Sequence, residues 1–237
     1  MSKQFNKHKV NFFSTGLDEV AIYTEIFTLE SYKLTTREPI IVMDIGMNVG
    51  LASLYFAKLP NVKKVYGYEP FKNTYDLALE NFNLNAGLKQ KIIPLQYGLS
   101  DKNEFGIGVC NPEYKGSASI IDGISPTGPT FRVKLKSAGD ELEQLIKSYP
   151  NTPIVLKIDC EGGEIKIFND PKFISLLPNV KEIVMETHNI AIYNKIDKIL
   201  RAKNFIVQKR MLSASNGYIH ATKKITTKNF KSLLATT

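Results

Sequence analysis

Two acidic strand ends and one glycine turn hold the residue types in this chain that could do chemistry. The turn is Asp44-Ile-Gly46-Met-Asn48-Val-Gly50, which follows an apolar run and opens a helical stretch. Glycines there let the backbone approach a ligand closely and tolerate a bend that a side chain would obstruct. The pattern is not G-x-G-x-x-G, and no Gly-Lys-Ser/Thr follows it, which disfavours a dinucleotide or a triphosphate. A zwitterionic methionyl group needs a carboxylate near its ammonium and N–H groups near its carboxylate, and Asp44 with the glycine turn could supply both. A plain strand–helix turn with a capping aspartate is the competing account.

Glu69 ends the next apolar run, where an acidic side chain can accept hydrogen bonds from both hydroxyls of a ribose. Tyr68, Pro70 and Phe71 surround it with flat surface on which an adenine could rest. A glutamate capping the following helix is the alternative. Gly98-Leu99-Ser100-Asp101 ends a third run, with backbone groups and Asp101 placed to read an adenine edge.

The second acidic centre is Lys157-Ile-Asp159-Cys-Glu161-Gly162-Gly163-Glu164. Lys157, Asp159 and Glu161 alternate along a strand and its exit, so their side chains can share one face. That face meets the crevice near Asp44 provided the two strands are neighbours. Three ionisable groups on a buried strand are expensive without pairing or a ligand. Asp159 and Glu161 are therefore candidates to orient or deprotonate an acceptor, with Lys157 organising them. A structural Lys157–Glu161 ion pair, with Asp159 as a helix cap, is the alternative. His188, in Glu186-Thr187-His188, is a further candidate base, and a strand-end histidine is about as often structural. Asp159, Glu161, Glu186 and His188 could converge as an oxygen-rich site with one imidazole. Their spacing is not diagnostic, and no metal ligand is assigned. His8 and His220 sit in no motif.

The elements that must position these residues alternate between β-rich runs and amphipathic helices, the mark of a parallel sheet covered on both faces. Strands are expected at Ile40–Ile45, Val62–Tyr68, 91–97, Ile154–Ile158 and 180–185. Helices are expected after Gly50, after a capping Asn73, from Asp140 with Glu143 as a capping pair, and along Ile192, Ile196, Ile199 and Leu200. Residues 205–209 and 217–222 could close the sheet as an antiparallel pair. Between Ser100 and Phe131 the chain is rich in Gly, Pro, Ser and Asn, with short β-like pieces at 105–110 and 131–135. The expected layout is an N-terminal helical cover over 1–38, a main domain over 39–222 with an insertion at about 102–131, and a basic tail over 223–237.

The 237 residues carry a net charge of +8, but the lysines are spread and no five-residue basic block occurs. A soluble basic surface is the expectation, with nucleic acid a lesser one. Cys110 and Cys160 are too few for a disulfide framework or a cysteine metal cluster. No run approaches the roughly 18 apolar residues of a membrane span, and MSKQFNKHKVNFF does not read as a secretory signal. A reducing, cytoplasmic setting is expected.

Four runs, VMDIGMNVGLASLYFAK, VYGYEPFKNTYDLALENFNLN, PLQYGLSDKN and LKIDCEGGEIKIF, together resemble the FkbM family of class I methyltransferases, in its order and spacing, over residues 40–188. The resemblance implies a doubly wound, mostly parallel Rossmann-like α/β fold that binds S-adenosylmethionine. It further implies O-methylation of a hydroxyl on a sugar or other small molecule. Asp44, Gly46, Asn48, Gly50 and Glu69 match the family's cofactor positions. Pro70, Ser100 and Asp101 join that expected set; Asp159, Glu161, Lys157 and His188 make up the reacting end. The chain departs from the family pattern at 111–130 and at both termini, the parts expected to choose a hydroxylated small-molecule or glycan acceptor. Two rival readings are an RNA methyltransferase and a cofactor-binding interaction module without catalysis.

Overall fold

The computed structural model describes residues 3–7, 10–14, 18–110, 118–121, 130–211 and 216–224. Strands β1 (Lys3–Lys7) and β2 (Val10–Ser14) form an antiparallel hairpin ahead of helix α1 (Asp18–Tyr23), which runs on as a π-helical turn over Thr24–Thr28. The alternating strand–helix pattern then begins with β3 (Ile40–Ile45), α2 (Leu51–Lys58), β4 (Val62–Tyr68), α3 (Lys72–Asn83), α4 (Ala86–Lys89) and β5 (Ile92–Leu95). Next come β6 (Gly98–Ser100), β7 (Glu104–Cys110), β8 (Ala118–Ile121), β9 (Thr130–Ser137) and α5 (Ala138–Ser148). The chain returns through β10 (Ile154–Ile158), α6 (Glu164–Ile167), α7 (Pro171–Leu176), β11 (Val180–Thr187), α8 (Ile190–Ala202), β12 (Phe205–Met211) and β13 (Gly217–Lys223).

Seven strands form the central sheet in the order β12-β13-β11-β10-β3-β4-β5. The five from β11 to β5 are parallel, and β13 and β12 close the edge antiparallel. Alternation along β3 shows why both faces are covered. Ile41, Met43 and Ile45 enter one core with Leu142, Phe173, Ile196 and Leu200. Ile40 and Val42 enter the other with Leu54, Phe56, Phe82 and Tyr23. A strand buried on both faces needs a continuous apolar run, and β3 has one apart from Asp44.

The order of strands reverses at β3, with β4 on one side and β10 on the other. Their register sets Lys157 opposite Asp44. That juxtaposition, left conditional by the sequence, places both acidic centres at one mouth of the sheet, where ligands of this architecture bind.

Three local expectations are corrected. Asn73 lies inside α3, whose N-cap is Phe71. Helix α5 starts before Asp140, because the Ser137 hydroxyl accepts from the Asp140 N–H. The segment after Ser100 is corrected in part: the β-like pieces expected at 105–110 and 131–135 are β7 and β9, and with β6 and β8 they form a second sheet in the order β6-β9-β7-β8. Of the departure at 111–130, residues 111–117 and 122–129 lie outside the described residues, as do 225–237 of the basic tail.

The N-terminal segment is tied down by buried polar side chains. Asn81 accepts from the Phe13 N–H at 2.8 Å and donates to the Val49 carbonyl at 2.8 Å, linking β2 to the glycine turn. Glu182, 1% exposed, accepts from Thr35 N–H and hydroxyl and from Thr36 N–H, and meets His220 Nε2. Among the described residues no helix is long and apolar enough to cross a membrane.

Candidate active site

The glycine turn is closed on itself. Gly46 and Met47 donate their N–H groups to the Tyr68 carbonyl, and Gly50 donates to Met47. Asn48 N–H goes to Glu69 Oε2 and Val49 N–H to Asn48 Oδ1. All five N–H groups expected to meet a ligand carboxylate therefore already have acceptors. Gly46 and Gly50 adopt φ of 79° and 83°. A Cβ on Gly46 would sit 1.7 Å from the Asp159 carbonyl oxygen, and one on Gly50 would strike the Phe82 ring. Gly46 is thus needed for strand-end packing, and Gly50 for seating α2 on α3.

Asp44 is fully buried and lines neither cavity at the sheet mouth. Its Oδ2 accepts from the Ser53 hydroxyl at 2.6 Å, and its Oδ1 faces the Lys157 ammonium at 3.2 Å. Burial pushes its pKa up, and Lys157 pulls it back. The structure thus places the carboxylate expected beside a ligand ammonium between Ser53 and Lys157.

Glu69 does face the crevice. It is 5% exposed and lines it with Asn48, Pro70, Phe71, Leu99 and Cys160. Its Oε2 takes the Asn48 N–H at 2.9 Å, while Oε1 takes the Phe71 N–H at 2.9 Å and the Thr74 hydroxyl at 3.2 Å. The glutamate therefore also organises the start of α3, so the capping account and the binding account describe one residue. Burial raises its pKa to about 7 despite those bonds. Gly98 and Leu99 reach the crevice wall, but Ser100 and Asp101 are not among its lining residues. Ser100 is sealed, with its hydroxyl at 3.0 Å from Asp101 and 3.3 Å from Glu104.

Across Gly46 lies a second cavity, walled by Tyr32, Asp159, Glu161, Glu186, His188 and the apolar flank of α2. Lys157, 2% exposed, donates to the Gly46 carbonyl at 2.5 Å and lies 3.6 Å from Asp159. Burial opposes its charge, yet Asp44 and Asp159 hold its pKa above the usual lysine value. Its partner is thus Asp44, with Asp159 further off, rather than Glu161. Asp159 also accepts from the Tyr32 hydroxyl at 2.9 Å.

His188 sits among carboxylates. Nε2 is 3.6 Å from Glu161, 3.7 Å from Glu186 and 3.9 Å from Asp159, and Nδ1 is 3.4 Å from Glu164. Burial works against its charge, but Glu164, Asp159 and Glu161 raise its pKa to about 9. The carboxylates around it thus favour its protonated form. Burial, and then Asp159, lift Glu186 to about 8.

The site also contains residues that the sequence left without roles. Tyr32, and Glu25 with its Tyr218 hydroxyl donor at 2.6 Å, come from outside every motif. Glu164 stands in the quoted motif and Glu186 beside His188, and the excess of acids there was the available signal.

Comparison with known proteins agrees with this geometry. The methyltransferase FkbM domain matches residues 44–207. The methyltransferase sdnD of Sordaria araneosa is 28% identical over 214 residues, covering 78% of this chain and 81% of that protein. Methyltransferase FkbM from Methylobacillus flagellatus KT superposes with a TM-score of 0.56 at 10% identity, over 84% of this chain and 47% of that one. Streptococcus pneumoniae Sp1610 in complex with S-adenosyl-L-methionine superposes with a TM-score of 0.50 at 14% identity, over 87% and 77%. With a matched region that runs from the glycine turn through both acidic strand ends, the chain belongs to the FkbM family of S-adenosylmethionine-dependent methyltransferases.

Proposed function

We propose that the chain methylates an oxygen of a neutral, hydroxyl-rich acceptor, a small molecule or a glycan. The observation that carries this reading is the chemistry of the second cavity. Its polar wall is acidic, with Glu25, Asp159, Glu161 and Glu186, and its one lysine, Lys157, is committed to Asp44 and the turn. Carboxylates accept hydrogen bonds from hydroxyls and repel phosphates. A polyphosphate backbone is therefore a poor fit there, although the +8 chain charge alone would favour it.

Methyl transfer from a sulfonium is an in-line displacement, so alignment of the acceptor oxygen with the methyl carbon supplies much of the rate. In this reading Glu69, Pro70, Phe71 and Leu99 hold the adenosine, with the methionyl end directed over Gly46 toward Asp159. Asp159 and Glu161 orient the acceptor hydroxyl and draw off its proton. Lys157 and Tyr32 fix Asp159 from below and from the side. A reducing cytoplasmic setting suits the free Cys160 on the crevice wall.

The test is transfer of a labelled methyl group from S-adenosylmethionine to a panel of glycosides, polyols and structured RNAs. Label on a hydroxylated acceptor and none on RNA is the expected result. Label on RNA alone would overturn the proposed acceptor class while leaving the family intact.

A further inference from the structure

We propose that Asp159, Glu161 and His188, with Glu186 beside them, form a binding site for one divalent cation of the manganese or magnesium type. One ligand atom from each of Asp159, Glu161 and His188 falls within 4.8 Å of the other two. Two donors on the same cation, each at about 2.1 Å, lie about 3.0 to 4.2 Å apart. The separations from His188 Nε2 to Glu161, Glu186 and Asp159 are 3.6, 3.7 and 3.9 Å. All three fall inside that range, so each carboxylate could share a cation with the imidazole after at most a small adjustment of the side chains.

A second observation lies behind the imidazole. Glu164 is completely buried, with Oε1 3.4 Å from His188 Nδ1. Its Oε2 has no hydrogen-bond partner. An orphaned buried carboxylate oxygen is costly and calls for a reason. A carboxylate on the far nitrogen of a metal-binding histidine fixes the tautomer and turns the other nitrogen toward the metal. Glu164 stands 3.4 Å from that nitrogen, which has no hydrogen-bond partner of its own, and Cys160 N–H and Gly162 N–H hold its Oε1, so a small turn of the ring would complete the pair.

Charge supports the same conclusion. Glu25, Asp159, Glu161, Glu164 and Glu186 surround the cluster, Lys157 is already paired with Asp44, and a bound cation would take the place of a proton on His188. Carboxylate oxygens with a single imidazole favour manganese or magnesium over thiophilic metals. Glu161 adopts φ of 50°, and a Cβ on the adjoining Gly162 would meet nothing within 4 Å, so space is left open beside the cluster. The cation's role rests on the methyl-transfer reading: an acceptor oxygen bound there would be aligned and its hydroxyl acidified, with Asp159 and Glu161 each ligating through the oxygen that faces His188 and the other Glu161 oxygen taking the proton.

The test uses the full chain without cofactor, titrated with Mn²⁺ and followed by the electron paramagnetic resonance signal of the free ion. One Mn²⁺ per chain is expected, displaced by excess Mg²⁺, with a spin-echo modulation from an imidazole nitrogen. His188→Gln should abolish that modulation, and Glu161→Gln should weaken binding at least 10-fold. Glu164→Gln should weaken it about 10- to 100-fold, as loss of an outer partner does. Glu161 is on a partly exposed turn, so its variant reports even if a change at Glu164 or His188 unfolds the chain. No bound Mn²⁺ at millimolar concentration, or binding unchanged in folded Glu161→Gln, would overturn the site. Either result leaves the methyl-transfer assay unaffected, so failure of the cation site and failure of the acceptor reading are read separately.

Discussion

On the crevice side of Gly46, the Glu69 carboxylate is held by two backbone N–H groups and a threonine hydroxyl. On the cavity side, Asp159, Glu161 and Glu186 face one imidazole at 3.6 to 3.9 Å, and Glu164 behind it keeps a buried oxygen without a partner. The first wall is finished before any ligand arrives. The second wall has more negative charge than its own cations answer. Preorganisation by backbone suits a cofactor that is always the same, whereas an acidic, incompletely satisfied cluster suits the partner that must be activated.

The partition between the two walls can be broken most severely at Gly46. Gly46→Ala sets a Cβ against the Asp159 carbonyl, in a backbone conformation that disfavours a side chain. We expect loss of folded protein, a destabilisation above about 3 kcal/mol, rather than selective loss of cofactor. Gly162→Ala, where the same atom meets open space at φ of 94°, should cost only about 1 kcal/mol. Thermal melting of the pair decides this, and equal melting temperatures would remove the packing role of Gly46.

The next largest effect separates the walls by function. Asp159→Asn and Glu161→Gln should lower turnover by about 10²–10⁴ while most S-adenosylmethionine affinity remains. Calorimetric binding, melting and methyl transfer would be measured on the same preparations. A large fall in melting temperature with normal specific activity in the folded fraction would make the pair structural.

Glu69 sharpens the comparison from the other side. Glu69→Ala should weaken cofactor binding by about 1.5–3 kcal/mol, the range for a charged hydrogen-bonding partner. With its pKa raised to about 7, Glu69 in the empty crevice gains its charge as pH rises through that value. Cofactor affinity should climb across the same interval, since only the carboxylate accepts from both ribose hydroxyls. Stability of the empty protein should move the opposite way: the contribution is full below the ordinary value of 4.5 and is lost as pH rises through about 7. Affinity flat between pH 6 and 8, or folded Glu69→Ala binding normally, would place the ribose elsewhere.

The smallest expected change is Tyr32→Phe. It removes the hydroxyl that donates to Asp159 at 2.9 Å and should cost about 1 kcal/mol of stability. Turnover should fall only several-fold, with cofactor affinity constant. A loss as deep as that of Asp159→Asn would move Tyr32 into direct contact with the acceptor.

These two walls were not equally legible in the sequence. Strands β3, β4 and β10 have the bounds expected of them; β3 and β10 are buried along their whole length and so nearly apolar throughout, while β4 exposes Lys63 near its start and is buried at its end. Glu69 was legible because a carboxylate ending such a strand is rare and costly. Asp44 was read as a ligand contact, and spacing could not say that its carboxylate would be buried between Ser53 and Lys157. Tyr32 and Glu25 carried no local signal, as the cover reaches the site only through tertiary packing. Ser137 was passed over as a cap because Asp140 and Glu143 offered a more familiar spacing, and the Gly- and Pro-rich composition left the β-like runs of β7 and β9 legible but hid their pairing with β6 and β8 in one sheet.

The pairing of β3 with β10 has a consequence for the order of events during synthesis. Asp44 is made early and Lys157 late, and nothing between them supplies the buried cation that Asp44 faces. A nascent chain released only through β9 holds a carboxylate at the end of a strand whose other neighbour is missing. Contacts of such sequence separation form slowly, and an unpaired strand edge invites association with other chains. The sheet mouth therefore cannot close before β10 is released, and C-terminal truncations before Ile158 should yield aggregates rather than a smaller soluble core.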